Sequence, residues 1–300
     1  MNKYPLSRFN GIILIAGILL STFMQALAQV KTNPGIDKLH SPSNTLKFAD
    51  YLYCQKDYLR AVTEYENYLS FSASDTVKYK IALSFLKMAR FTEAEDRFRS
   101  LLPGSSLKDE AKLGLFETKF FSSNMGQLRE LYRESDFHPV KYADPVRSLY
   151  YLTFLYGNAP LPAEEEFTLA FPAHSRDEMK NFYNRKAAPG YKSSLKAALL
   201  SALIPGLGKV YTGEYGDGIT AFIVSGLLSY LTYDNFIAHH YFRGYTFAGL
   251  AALFYAGNIY GSAAQAQIYN AGIDFTFTTD LNLFLNRHNH FLPDDEPNCK

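Results

Sequence analysis

The chain of 300 residues contains no tryptophan and only two cysteines, Cys54 and Cys299, with no CxxC pair between them. Cys54 falls in a predicted helix and Cys299 beside the C-terminus. An exported chain could oxidise the two, but the expectation is a small buried hydrophobe at Cys54 and an unstructured thiol at Cys299. Charge of one sign is also missing, since Lys+Arg number 30 and Asp+Glu 29. A general nucleic-acid surface needs a basic excess to displace counterions, so that class is set aside. No Ser-His-Asp, Cys-His or paired-carboxylate arrangement stands out, and no enzyme is expected. Glu164, Glu165 and Glu166 read as a solvated helix N-terminus, where negative charge suits the dipole. No cofactor or metal is expected, and no small-molecule substrate is evident. His288, His290, Asp294, Asp295 and Glu296 lack the rigid support a metal centre needs.

What is abundant is tyrosine and phenylalanine, 23 and 24 residues, which suit helix-repeat packing and membrane interfaces alike. At the N-terminus, Lys3 and Arg8 precede an apolar run from Gly11 to Met24. Ala26-Leu27-Ala28 then places small residues where a signal peptidase reads. A signal peptide over 1–28 is expected, or else an uncleaved anchor; either exports the rest of the chain. No cysteine comes after Ala28 at the cleavage point, so a lipoprotein start is excluded.

Two stretches repeat. FADYLYCQKDYLRAVTEYENYL (Phe48 to Leu69) superposes on IALSFLKMARFTEAEDRFRSLL (Ile81 to Leu102) at an offset of 33 residues. Ala49 then matches Ala82, Leu52 matches Phe85, Tyr58 matches Phe91, Ala61 matches Ala94, Tyr65 matches Phe98 and Leu69 matches Leu102. Each unit reads as two amphipathic helices broken near Lys56-Asp57 or Ala89-Arg90. One unit cannot bury its own apolar stripe, so units must stack. The alternation of alanine and aromatics resembles the tetratricopeptide repeat family, over roughly Thr45 to Pro103. It departs from that family in lacking the first-helix glycine. Degenerate units continue the pattern, and an all-helical solenoid is expected over 40–188. The resemblance implies a concave groove that binds a protein partner, with Asp50, Tyr53, Tyr79, Leu83 and Lys87 facing it.

After Ala187-Ala188-Pro189-Gly190 the composition changes. Ile219 to Tyr233 and Tyr245 to Ala264 are long apolar stretches, read as two transmembrane helices. Ala248, Ala252 and Ala256, with Gly257 and Gly261 after them, would supply a small-residue face for close helix approach. Asn258 would hydrogen-bond across that hairpin. Between the apolar runs lies SALIPGLGKVYTGEYGDG (Ser201 to Gly218). A P-loop fails there, because Leu203 stands where its first glycine belongs and Val210 comes directly after Lys209. The dinucleotide fingerprint fails at Tyr211. There remains an interfacial or re-entrant helix from Leu195 to Ile204, stopped by Pro205, and a glycine turn.

Pro205, Gly206, Gly208, Tyr211, Gly213, Asp217, Gly257, Asn258 and Gly261 make up a pattern similar to a small bacterial two-helix membrane module of undefined role. A weaker similarity is to the two-transmembrane-domain family. The expected organisation is all-α: a signal peptide, a repeat solenoid, a membrane module over 193–270 with a transmembrane hairpin, and a tail over 271–300. A third spanning segment from Leu195 to Val210 is the alternative topology. Ile273 to Leu285 alternates like a strand, with a short amphipathic helix as the other reading. The function implied is a membrane-anchored adaptor of the bacterial cell envelope, with the repeats on the periplasmic side and the lipid bilayer as a second partner. In the alternative, the membrane module is itself active in insertion or transport. In a third, Lys209, Asp217 and Asn258 belong to an unrecognised site.

Overall fold

A computed structural model describes residues 41–134, 137–293 and Cys299. The signal peptide expected over 1–28 and the acidic residues 294–296 lie outside the described residues. Among the described residues there are thirteen α-helices and no strand. The chain divides into two compact units, one over 1–122 with 295–300 and one over 123–294. The composition shift near Pro189 therefore falls inside the second unit.

The first unit holds α1 (Pro42–Cys54), α2 (Tyr58–Phe71), α3 (Asp75–Lys87), α4 (Phe91–Ser100) and α5 (Lys108–Phe121), each packed on the next. Their starts are locally encoded. The Ser41 hydroxyl accepts the Asn44 N–H with Pro42 at the first turn, Asp57 accepts the Arg60 N–H, and Ser74 accepts the Val77 N–H. The helix pairs close by one turn, used twice. Lys56 and Ala89 both take positive φ, 61° and 57°. The next N–H groups, of Asp57 and Arg90, reach back to the carbonyls of Leu52 and Phe85, at 2.9 Å each. This is the Schellman arrangement, which satisfies carbonyls that the helix end leaves open.

The superposed residues are used alike. Ala49, Ala82, Ala61, Ala94, Tyr65 and Phe98 have no exposed surface, and Leu52 and Phe85 are buried beside them. Polar ties also cross between helices, Arg97 of α4 to Glu66 of α2 among them (2.8 Å). The Asp50 carboxylate accepts from Tyr65 Oη (2.7 Å) on α2 and from Lys80 Nζ (2.6 Å) on α3. Glu95 on α4 accepts from Lys119 Nζ (2.6 Å) on α5 and from Arg99. The unit is also closed by a disulfide, Cys54–Cys299, across a sequence separation of 245 residues. The expectation of two unpaired cysteines is overturned. Helix spacing reports only local neighbours, and nothing near Cys54 announces a partner so distant in sequence.

The second unit holds α6 (Met125–Arg133), α7 (Ala143–Tyr156), α8 (Glu164–Leu169), α9 (Arg176–Ala187), α10 (Ser194–Leu203), α11 (Leu207–Tyr211), α12 (Tyr215–Ile237) and α13 (Tyr241–Arg287). Helix α13 is the spine: α9, α10, α11 and α12 all pack on it. Its C-terminal half buries Phe277, Leu281 and Leu285 at four-residue spacing. Phe182 of α9 meets Phe277 and Phe284, and Arg185 pairs with Asp280 at 2.9 Å. The strand reading of Ile273 to Leu285 is thus corrected. The alternation is real, but a helix already running from Tyr241 imposes its own period, and one residue per turn is enough to pack it.

The transmembrane hairpin is overturned, and the third spanning segment with it. No helix among the described residues is long and apolar enough to cross a membrane. A span needs about 20 predominantly apolar residues in succession. The apolar run of α12 stops at Tyr233-Asp234-Asn235, and α13 is interrupted by Asn258, Gln265, Gln267 and Asn270. Helix α10 has ten residues before the chain reaches Pro205. The small-residue face also fails as packing. A Cβ placed on Gly226 or Gly257 would meet nothing within 4 Å, and Ala252 and Ala256 are exposed.

Burial alone would raise the Glu95 carboxyl, but hydrogen bonds from Lys119 and Arg99 hold it below the ordinary glutamate range. A lowered folded-state value contributes stability above the unfolded pKa, and that stability is lost as pH falls through the folded one. Glu95→Gln is therefore expected to cost about 1 kcal/mol at pH 7. The gap from the parent should narrow between pH 7 and an acid pH well below the ordinary glutamate range, where the parent carboxyl is itself protonated. Urea unfolding at both pH values, monitored by helical circular dichroism, checks this.

Candidate functional site

Of the residues expected in the repeat groove, Tyr53 and Leu83 are buried in the core. Tyr53 packs edge-on against Tyr58. Asp50 is engaged by Tyr65 and Lys80. Burial, with Asp50 beside it, pushes the Tyr65 hydroxyl far above its ordinary range, so it stays a donor. Tyr79 is half-buried with its ring 5.8 Å from that of Phe98, and Lys87 is exposed. The apolar side chains that α1 presents to solvent are instead Phe48 and Tyr51, 48% and 59% exposed and one turn apart.

The glycine-rich stretch is a crossing point. After α10, Gly206 takes a φ of 87°, and a Cβ there would fall 2.0 Å from the carbonyl oxygen of Gly218. A Cβ on Gly208 would fall 2.0 Å from the carbonyl oxygen of Ala197. Only hydrogen fits at either place, so α10, α11 and α12 meet backbone to backbone. Gly213, at φ 94°, closes the α11–α12 turn, with the Glu214 N–H reaching the Lys209 carbonyl. This is the turn already met at Lys56 and Ala89.

A buried relay fastens the crossing to α13. The Gly208 N–H donates to Ser201 Oγ (2.9 Å), which lies 2.7 Å from Ser262 Oγ. Ser262 in turn donates to the Asn258 carbonyl (2.9 Å), so the Ser201 hydroxyl must donate to Ser262. Both serines are fully buried. Reasoning from sequence missed them. Their one signal is the buried period Asn258, Ser262, Ala266 along α13, polar where a core face is normally apolar. Tyr211 is held from its face by Lys192 and Lys196, 4.9 and 5.0 Å from the ring centroid, and its hydroxyl accepts the Ser193 N–H. Asn270 accepts the Lys192 N–H (2.7 Å) and donates to the Lys192 carbonyl (2.9 Å).

Lys209, Asp217 and Asn258 lie around this crossing. Lys209 Nζ stands 3.6 Å from Asp217 Oδ2. Asn258 is 5% exposed, and neither its amide oxygen nor its amide nitrogen has a hydrogen-bond partner. The cross-hairpin hydrogen bond expected of it is absent. Lys209 and Asn258 instead line a cavity of about 570 Å³, whose other walls include Ala221 and Leu228 of α12 and Leu250, Leu253 and Phe254 of α13. Gly261 touches Lys209 loosely, at 3.9 Å from its Cε for a notional Cβ. Pro205 ends α10 and adds no polar contact to the crossing. Among the described residues no group of three or more His, Cys, Asp and Glu side chains is placed to hold a metal ion.

No family model matches the chain, and neither a curated protein nor a solved structure matches it.

The glycines divide into two kinds with opposite expected outcomes. Gly208→Ala should lower unfolding stability by about 1–3 kcal/mol, the range of core overpacking. Gly257→Ala, where the added methyl meets open space, should raise it by about 0.5–1 kcal/mol through the unfolded chain's lost entropy. Denaturant midpoints of the two variants measured side by side check the sign.

Proposed function

We propose that this protein is an exported adaptor whose helix-pair repeats bind a protein partner. The observation that carries the reading is the matched burial of the two superposed units, Ala49 through Leu102. That pattern belongs to stacked repeats, and such stacks work through surface rather than through a catalytic cleft. The resemblance to tetratricopeptide repeats supports the same reading. Exposed Phe48 and Tyr51 are the anchors of the contact, since aromatic side chains carry a disproportionate share of binding energy at protein interfaces.

Export is supported by the Cys54–Cys299 disulfide, because such bonds persist where thiols are not kept reduced. With the signal-like N-terminus, this favours the cell envelope, on the side away from the cytosol.

A second reading has the α10–α13 assembly as the working part. It is favoured by the apolar side chains exposed there, among them Leu199, Ile223, Leu227, Phe242 and Leu253. Large apolar side chains exposed in such numbers suit an interaction site.

A photo-crosslinking residue at Tyr51 should capture one discrete partner in intact cells, and the adduct should disappear when Phe48→Ala is added. The same residue at Thr92, on the exposed start of α4, should capture nothing discrete. Equal capture at both positions, or none at Tyr51, refutes the repeat-surface reading. In the same cells, thiol alkylation before lysis should leave Cys54 and Cys299 unmodified unless a reductant is added. Free thiols would overturn the proposed compartment.

A further inference from the structure

We propose that the cavity between α12 and α13 binds a single-chain acyl amphiphile with a neutral, hydroxyl-bearing head group. Its volume, about 570 Å³, falls within the range of small-molecule sites. Its composition is that of an amphiphile site: Ala221, Leu228, Leu250, Leu253 and Phe254 supply an apolar wall, while Lys209 and Asn258 supply a polar end. Leu253 is 74% exposed and stands at the rim, so a hydrocarbon chain has a lateral way in.

Asn258 selects the head group. A buried amide with neither atom paired is costly, and native proteins rarely leave one so without a ligand or water in view. The Asn258 main-chain carbonyl is already taken by Ser262, so the amide side chain is the group still to be satisfied. It needs a donor for Oδ1 and an acceptor for Nδ2. A carboxylate offers only acceptors and an ammonium only donors, whereas hydroxyl groups offer both. Lys209 Nζ lies 3.6 Å from Asp217 Oδ2, outside the cavity lining, so part of its charge is offset there. Ser225 of α12 carries a buried hydroxyl without a partner, one turn from the lining residues Ala221 and Leu228. The Asn258 amide therefore calls for hydroxyl and carbonyl groups together, as a monoacylglycerol carries.

The test is calorimetric titration of the full mature chain with 1-monooctanoylglycerol, below its micelle concentration. Saturable binding of one molecule per chain is expected. Asn258→Leu removes the amide at similar volume and leaves the exposed apolar faces unchanged; it should weaken binding at least tenfold while helical circular dichroism is retained. Leu228→Trp adds bulk to the apolar wall while leaving Asn258 in place and should weaken binding. Absence of saturable binding, or parental affinity in both variants, overturns the site. Octanoate or octyltrimethylammonium binding more tightly than the glyceride overturns the neutral head group.

Discussion

Four helix hairpins of this chain depend on the same constraint at the end of their first helix. The last carbonyls of a helix have no partner within it, and burying them unpaired is costly. The remedy is a single residue with positive φ, which turns the next N–H groups back onto those carbonyls. It recurs at Lys56, Ala89, Gly213 and His239, each two residues before a helix opened by tyrosine or phenylalanine. Only Gly213 adopts that conformation freely. The other three each bear a steric cost of roughly 1–2 kcal/mol, which the hairpin packing offsets. The repeats of the first unit and the long hairpin of the second thus share one local grammar, although their surfaces differ.

Given that turn, the two units are consolidated by different means. The first relies on interchangeable apolar pairs and a few ties between helices, such as Asp50 with Tyr65 and Lys80. The second brings backbones so close at Gly206 and Gly208 that side chains are excluded, and polar groups must then be satisfied inside. The chain of donors from Gly208 through Ser201 and Ser262 to the Asn258 carbonyl does so without a gap. The Asn258 side chain, one step further, is the group left over. The proposed ligand site arises from that remainder, not from any motif.

Much of the first unit is legible in the sequence. Residues matched by the repeat are matched in burial, because small and large side chains at fixed helical spacing dictate which faces meet. The glycine-rich stretch is separable from the nucleotide-binding loops on residues alone, since those loops need particular side chains at particular places. The groove-facing assignments fare differently: Tyr53 and Leu83 go into the core, where a shift of one residue around a helix changes the face. The spanning hairpin misleads because its apolar stretches are long but broken, by Asp234 in one helix and Asn258 in the other. Small residues at Gly257 and Gly261 suggest a close contact that the helices do not make.

Local order, then, comes from the chain itself. Caps at Ser41, Asp57 and Ser74, a period near 3.6 and a turn before each aromatic act between near neighbours, and neighbours are what a sequence displays. The Cys54–Cys299 bond, the clasp of Asn270 on Lys192, the Ser201–Ser262 relay and the solitude of the Asn258 amide join or isolate groups far apart in the chain. Only the packing of α10 through α13, and the closure of the first unit on its terminal cysteine, decided them, because distance in space is set by the whole fold and not by position along it.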